Sequence, residues 1–145
     1  MTAAVRLHDA VERRLLAGGH RYTDQRRRLV DALVRAGRPR SIPELLADTG
    51  LPQSSAYRNL ASLEQAGVVR RVVTDEEHAR FEPVEELTAH HHHLICESCG
   101  RVEDVRIPAA LESDVDRTLE RVARRAGFAK VGHRLDLIGT CAACA

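Results

Sequence analysis

His90-His91-His92-His93-Leu94-Ile95-Cys96-Glu97-Ser98-Cys99-Gly100 sets four imidazoles and two thiols within ten residues, and a second Cys-x-x-Cys, Cys141 and Cys144, stands near the C-terminus. Two residues between paired thiols let both sulfurs close on one tetrahedral ion, and two such pairs complete a four-thiolate shell of the structural zinc type. The 41 residues between Cys99 and Cys141 are too many for a compact zinc ribbon. An ion held by Cys96, Cys99, Cys141 and Cys144 would therefore pin the end of the chain onto the first knuckle, so that binding energy becomes folding energy. A redox dithiol is the competing reading, and the presence of two pairs weighs against it. If residues 90 to 94 are extended, side chains alternate, so His90 and His92 face one way and His91 and His93 the other. Two imidazole pairs on opposite faces imply two separate metal sites. A solvated polar run is the plainer alternative.

Working outward, the C-terminal half has the grammar of a small α+β domain. Leu94 to Cys96 and Arg101 to Arg106 read as strands joined by the Cys-x-x-Cys-Gly knuckle. Pro108 opens a helix to about Ala126, with Leu111, Val115, Leu119 and Val122 as its buried stripe. Lys130 to Gly139 alternates as a strand, with Val131, His133, Leu135 and Leu137 on one face.

The N-terminal half reads as short helices. Val5 to Leu16 carries Leu7, Ala10, Val11 and Leu15 at helical spacing and stops at Gly18-Gly19. Thr23 caps a helix from Asp24 to about Ala36. Ser41-Ile42-Pro43-Glu44 has the spacing of a capping box and opens a helix to about Asp48. After the turn Thr49 to Pro52, a helix from Gln53 to about Ala66 buries Ala56, Leu60 and Leu63 and turns Ser54, Ser55, Arg58 and Ser62 outward. A short helix, a tight turn and a second helix with small polar residues and an Arg outward outline a helix-turn-helix, whose second helix enters the DNA major groove. Val68 to Val73 and Ala79 to Glu82 then read as two strands about the acidic turn Thr74 to His78, a wing. The bland alternative is a helical bundle with a solvated basic face.

Charge divides along the same line. Residues 1–80 hold 14 Lys+Arg against 10 Asp+Glu, a balance of +4, and residues 81–145 hold 8 against 11, a balance of −3. Basic and acidic halves suggest two tasks. Aromatic residues make up only 3% of the chain and Trp is absent, so neither lobe builds a large aromatic core, and metal or dimerisation would help each hold together. No apolar run approaches the roughly 20 residues of a membrane span and no secretory signal is evident, which predicts a cytoplasmic protein with no membrane partner.

Taken jointly, Arg21-Tyr22-Thr23-Asp24-Gln25-Arg26, Ala56-Tyr57-Arg58-Asn59-Leu60, Arg80-Phe81-Glu82, His90 to Cys99, and Gly127-Phe128 through His133 to Cys144 resemble the ferric uptake regulator family over nearly the whole chain. The resemblance implies an α+β protein: an N-terminal winged helix-turn-helix DNA-binding domain (1–82), a hinge (83–89) and a C-terminal α/β metal-binding dimerisation domain (90–145). It implies a transcriptional repressor of metal-uptake or stress genes, acting as a metal-loaded homodimer on palindromic double-stranded DNA operators. No enzyme and no small organic substrate are expected.

Carried over by position, the resemblance implies structural Zn2+ at Cys96, Cys99, Cys141 and Cys144. It implies a sensory site of Glu82, His91, His93 and Asp104, and a second site of His90, His92, Asp116 and His133. DNA contacts are expected from Arg21, Tyr57 and Arg58, beside Ser54 and Ser55 of the same helix. This chain departs from the family in three places. Iron and peroxide sensors usually carry a His just before the helix that starts here at Ser41, where this chain reads Pro39-Arg40. Zinc sensors often use an Asp after the recognition helix and a Cys in the hinge, where this chain has Arg70 and no Cys from Pro83 to Ala89. One sensory ligand is thus unaccounted for, with His78, Glu85 or Glu86 as substitutes and a solvated wing His as the alternative.

Two His and two carboxylates suit Fe2+, Mn2+ or Zn2+, and raw affinity favours Zn2+. A peroxide sensor would usually carry Asp in the place of Glu82. A zinc storage or chaperone protein is the rival of a different class, and it would need the C-terminal half alone. A zinc deaminase is argued against because Ile95, not Pro, precedes Cys96.

Overall fold

The computed structural model describes residues 2–72 and 79–145, which divide into two compact units, Met1–Ala89 and His90–Ala145. The wing turn from Thr74 to His78, together with Val73, lies outside the described residues. The fold class is α+β, with a winged helix-turn-helix as the first unit.

In the first unit, α1 (Ala3–Ala17) starts where the Thr2 hydroxyl accepts the Val5 N–H. α2 (Asp24–Ala36) starts where Thr23 accepts the Arg26 N–H. β1 (Arg40–Ser41) leads into α3 (Ile42–Thr49), whose capping box is complete: Ser41 Oγ accepts the Glu44 N–H, and Glu44 Oε2 accepts the Ser41 N–H at 2.8 Å. Each reciprocal bond satisfies a backbone donor that the helix start would otherwise orphan. Gly50, at φ +66°, then reverses the chain in a left-handed conformation that a Cβ would oppose, and α4 (Gln53–Gln65) follows. The Arg28 guanidinium donates to the Thr49 carbonyl and so ties α2 to the end of α3.

β2 (Val69–Val72) and β3 (Arg80–Pro83) pair antiparallel, and β1 adds to the other edge of β3, giving the order β1-β3-β2. The two-residue β1 is too short to leave a periodic signal, and the sequence reading has no counterpart for it. Val11, Leu15, Leu29, Leu33, Leu45, Leu60 and Leu63 fill the core between helices, and Phe81 packs against it from the sheet. Each buried leucine contributes about 1.5–3 kcal/mol, so this unit gathers its stability without a large aromatic core. A single 3-10 turn, Glu85–Leu87, ends the unit.

The second unit is a three-stranded sheet of order β5-β4-β6: β4 (His92–Cys96) in the centre, β5 (Val102–Val105) antiparallel to it and β6 (Asp136–Gly139) parallel. A parallel neighbour requires a crossover, which α5 (Ala109–Arg125) supplies. Two expectations are corrected here. Only the last four residues of the Lys130–Gly139 stretch form a strand, because 130–135 serves as the return from α5. Of the stripe Leu111, Val115, Leu119 and Val122, Val115 is half-buried and the other three are exposed, at 50%, 37% and 58%, and none of the described residues of α5 is buried. Its apolar face lacks a covering layer among the described residues. No described helix is long and apolar enough to cross a membrane.

Glu44 ties the first unit together electrostatically. Burial pushes its carboxyl up, but the Ser41 N–H and the guanidiniums of Arg40, Arg80 and Arg38 outweigh that and hold it below the ordinary 4.5. A carboxylate with a lowered folded pKa stabilises the fold fully above its unfolded value, and loses that contribution as pH falls through the folded one. Urea unfolding of the first unit between pH 3 and 7 should therefore show stability dropping below about pH 4.5. Glu44→Gln should be less stable at pH 7 and show a shallower acid limb. An unchanged acid limb would contradict this role.

Candidate metal centres

Side-chain alternation along β4 and the residues just before it sorts the donors into three groups. At the C-terminal end of the strand, Cys96 enters a knuckle closed by the Gly100 N–H on the Cys96 carbonyl, 2.8 Å, with Gly100 at φ +69°. The parallel register of β6 sets Gly139 against Cys96, and the Glu97 N–H bonds the Gly139 carbonyl at 2.9 Å. The chain therefore delivers Cys141 and Cys144 to the same place. The four Sγ atoms lie within 4.8 Å of one another, and all four residues are free thiols.

Cys99 and Cys141 are 3.8 Å apart at sulfur, far beyond a disulfide. Sulfurs at about 2.3 Å around one tetrahedral ion sit roughly 3.8 Å apart, so the spacing fits zinc. The Cys141 N–H points at Cys96 Sγ, 3.3 Å. That bond, with the Cys99 and Ser98 N–H groups, brings the Cys96 thiol down to about 6, while hydrogen bonds with the Cys141 and Cys99 side chains push Cys144 up to about 12.

On one face of the His run, His90, His92 and His133 converge on Glu112 in the first turn of α5. Their Nε2 atoms lie 3.0, 2.8 and 2.6 Å from its carboxylate oxygens. Hydrogen bonding from His92, opposed by desolvation and aided by His90, lowers the Glu112 carboxyl. His133 Nε2 is close to Glu112 Oε1 but is not aligned for a hydrogen bond, leaving it buried and unsatisfied; His92 Nδ1 is likewise buried without a partner. Three imidazole nitrogens gathered on one carboxylate, one of them not aligned to bond it, form a donor set that fits a three-His, one-Glu ion site.

The expected carboxylate here was Asp116, and the structure gathers Glu112 instead. The two residues stand four apart on the same helix face, which spacing alone does not separate. Glu112 occupies the turn nearest the His run, and Asp116, more exposed, sits 3.1 Å from His133 Nδ1, where it orients the ring.

On the opposite face, His91 and His93 approach Asp104 Oδ1 with Nε2 at 3.8 and 4.0 Å. The β4–β5 register sets Asp104 opposite His93. These gaps exceed hydrogen bonds and suit donors that share an ion, since ligands about 2.1 Å from a metal stand roughly 3–4 Å apart. Asp136, across from His93 on β6, bonds His93 Nδ1 at 3.3 Å and fixes which nitrogen faces Asp104. The sequence reading missed Asp136 because pairing of β4 with β6 has no local signature.

In the first unit, Glu82 is buried on β3 and paired with Arg70. Arg70 also reaches Glu85 at 3.5 Å, Glu86 is exposed, and His78 lies outside the described residues. At the site of the family's missing His, Arg40 pairs with Glu44 and Asp48.

The DNA-contact candidates share the first unit. Ser54, Tyr57 and Arg58 are exposed on α4, Ser55 is half-buried, and Arg21 is exposed before α2. Arg26 on α2 brackets these parts. Its guanidinium donates to Asn59 Oδ1 (3.1 Å), to Ser62 Oγ (3.1 Å) and to the Arg21 carbonyl.

Residues 17–138 match the family model described as the ferric uptake regulator family. The chain is 38% identical over 94 residues to the ferric uptake regulation protein of Cupriavidus metallidurans, a match spanning 65% of this chain and 59% of that protein. It is 30% identical over 147 residues to the peroxide operon regulator of Bacillus subtilis, spanning 98% of this chain and 95% of that one. Among solved structures, the Vibrio cholerae ferric uptake regulator superposes with a TM-score of 0.68 at 26% identity, covering 88% of this chain and 96% of the other.

Glu112→Ala should abolish ion binding at the three-His cluster. Asp116→Ala should keep the ion but weaken it by about 10- to 100-fold, as loss of an orienting partner does. Zinc titration calorimetry on both variants checks this, and the reverse ranking would restore Asp116 as the ligand.

Proposed function

The chain belongs to the ferric uptake regulator family, and on that premise we propose that it is a metal-responsive transcriptional repressor that binds palindromic operators of metal-uptake genes as a homodimer. The observation that carries the reading is the gathering of three donor clusters around one strand, in a chain whose other unit is a winged helix. Cys96, Cys99, Cys141 and Cys144 hold structural zinc. His90, His92, His133 and Glu112 hold a second ion, with Asp116 behind His133. His91, His93 and Asp104 form the sensory set, with Glu82 as the further ligand that the family resemblance implies. Zinc is favoured there by raw affinity over Fe2+ and Mn2+.

Dimerisation is supported by the uncovered apolar surface of the second unit: Leu111, Leu119 and Val122 on α5, Leu137 and Ile138 on the edge strand β6, and Phe128. A second copy laid on this face would cover both the apolar stripe and the strand edge. An ion whose binding differs in strength between placements of the two winged helices favours one placement over the others. Recognition helices about 34 Å apart enter successive major grooves. A few kcal/mol of differential affinity between placements is enough to switch operator binding. Ser54, Ser55, Tyr57 and Arg58 on α4 then face the groove, with Arg21 at the backbone.

The match to the Bacillus subtilis regulator over 98% of this chain favours one further reading, a peroxide sensor that uses the same sensory ligands. A zinc-storage role would leave the winged helix without a purpose.

Fluorescence anisotropy with DNA from upstream of metal-uptake genes tests the proposal. Operator affinity should rise with Zn2+, Fe2+ or Mn2+, fall on chelation, and fall further in Arg58→Ala. Binding that ignores metal, or that shows no sequence preference at moderate salt, would contradict a metal-sensing repressor. Loss of binding on adding hydrogen peroxide to the Fe2+ form alone would select the peroxide branch.

A further inference from the structure

We infer that Arg26 is a positioning residue for sequence recognition: its guanidinium fixes the roll of α4 against α2 and holds the Arg21 backbone in the same grip, so that the two groups of proposed DNA contacts keep one spacing. The inference rests on the proposed role of α4 as the helix that enters the groove. Each of the three guanidinium nitrogens is bonded within the first unit. Nε donates to Asn59 Oδ1 and Nη2 to Ser62 Oγ, both at 3.1 Å, and Nη1 donates to the Arg21 carbonyl. Asn59 and Ser62 stand three apart on α4 and so share one edge of the helix, where two bonds from a single planar fork resist rotation about its axis.

A second side chain of α2 completes the tie. Asn59 Nδ2 donates to Gln25 Oε1 and to the Ser55 carbonyl one turn back, both at 2.9 Å, so neighbouring residues of α2 hold the Asn59 amide at both ends. Ser62 Oγ donates in turn to the Arg58 carbonyl at 3.3 Å. Gln25, Arg26, Asn59 and Ser62 are all half-buried, which strengthens these bonds against competition from water. The three acceptors of Arg26 are neutral, so the guanidinium keeps its full charge, and the rival reading is that Arg26 itself reaches a DNA phosphate.

The consequence is for sequence preference more than for total affinity. Tyr57 and Arg58 adjoin Asn59 on α4 and swing with it if the helix rolls. A roll of about 20° carries a group roughly 6 Å from the axis about 2 Å sideways, enough to break a hydrogen bond to a base edge. Attraction to the phosphate backbone falls off slowly with distance and survives such a shift, whereas contacts to base edges carry the sequence information. Arg21 lies in a stretch without regular structure before α2, and the bond from Nη1 links its backbone to α4 through the same fork. Arg26 thus acts through Arg58, Tyr57 and Arg21.

The test uses the full zinc-loaded chain and two duplexes: the sequence that the wild-type chain enriches from a randomised DNA library, and a shuffled sequence of the same composition. Fluorescence anisotropy gives the ratio of the two affinities and its dependence on salt. Arg26→Lys keeps the charge but loses the fork, so the ratio should fall by about tenfold, within the range of one lost base contact, with the salt dependence unchanged. Asn59→Ala removes the α4 end of the tie and, because alanine is the better helix former, keeps α4 folded; it should lower the ratio by about three- to tenfold and decides the matter where Arg26→Lys does not fold. Arg26→Lys combined with Arg58→Ala should lose less than the product of the single losses, because a misaimed Arg58 has less left to lose. A folded Arg26→Lys, or in its place Asn59→Ala, whose ratio stays at the wild-type value overturns the inference. So does an Arg26→Gln variant that loses affinity equally on both duplexes with its salt slope reduced by about one, the mark of a direct phosphate contact. A wild-type chain that enriches no sequence removes the premise, and the inference falls with the DNA-binding reading; a wild-type preference that the variants retain removes the inference alone.

Discussion

Successive side chains along extended backbone point to opposite faces, and the donor arrangement of this protein depends on that rule as it applies to the His run and β4. His90 and His92 meet Glu112 and His133 on one side, while His91 and His93 meet Asp104 on the other. Four consecutive imidazoles in a helix would have fanned around its axis at about 100° per residue instead of sorting into two pairs. Here the peptide pleat keeps the pairs apart, and the strand then ends in Cys96, which starts the four-thiol group. A one-residue slip in this segment would exchange the two His pairs between sites.

The rest of the second unit serves to bring partners to that strand. β5 supplies Asp104 by register, β6 supplies Asp136 by register and Cys141 and Cys144 by its exit, and α5 supplies Glu112 and Asp116 from one face. Little apolar core accompanies this: Ile95, Cys96 and Val102 are its buried hydrophobic residues among those described. With so little buried apolar surface, much of the unit's stability would come from bound ions and from a second copy over the apolar face of α5. The first unit contrasts with it, since its leucine core and its Arg–Glu44 cluster hold it together within the single chain.

Local chemistry was legible in the sequence and long-range pairing was not. Thr23 and Ser41-x-x-Glu44 marked helix starts because a cap is decided by neighbours in the chain, and the structure has both caps. The Cys-x-x-Cys pairs and the alternation of the His run were legible for the same reason. Glu112 was missed in favour of Asp116 because choosing between residues four apart on a helix requires knowing which turn faces the His run. Asp136, Arg26 and the pairing of Arg70 with Glu82 depend on registers and helix contacts that no local pattern records. The irregular path of 130–135 defeated the alternation of Val131, His133 and Leu135, which reads as a strand although regular pairing with β4 begins only at Asp136, after the Leu135 carbonyl accepts the His93 N–H at 3.3 Å.

Counting ions by native mass spectrometry tests the separation of sites most directly. The zinc-saturated wild-type chain should carry three ions. The His90→Ala/His92→Ala and His91→Ala/His93→Ala double variants should carry two each, with the cysteine-bound ion retained in both. Loss of two ions in either double variant, or of none, would show that the alternating imidazoles do not serve separate centres.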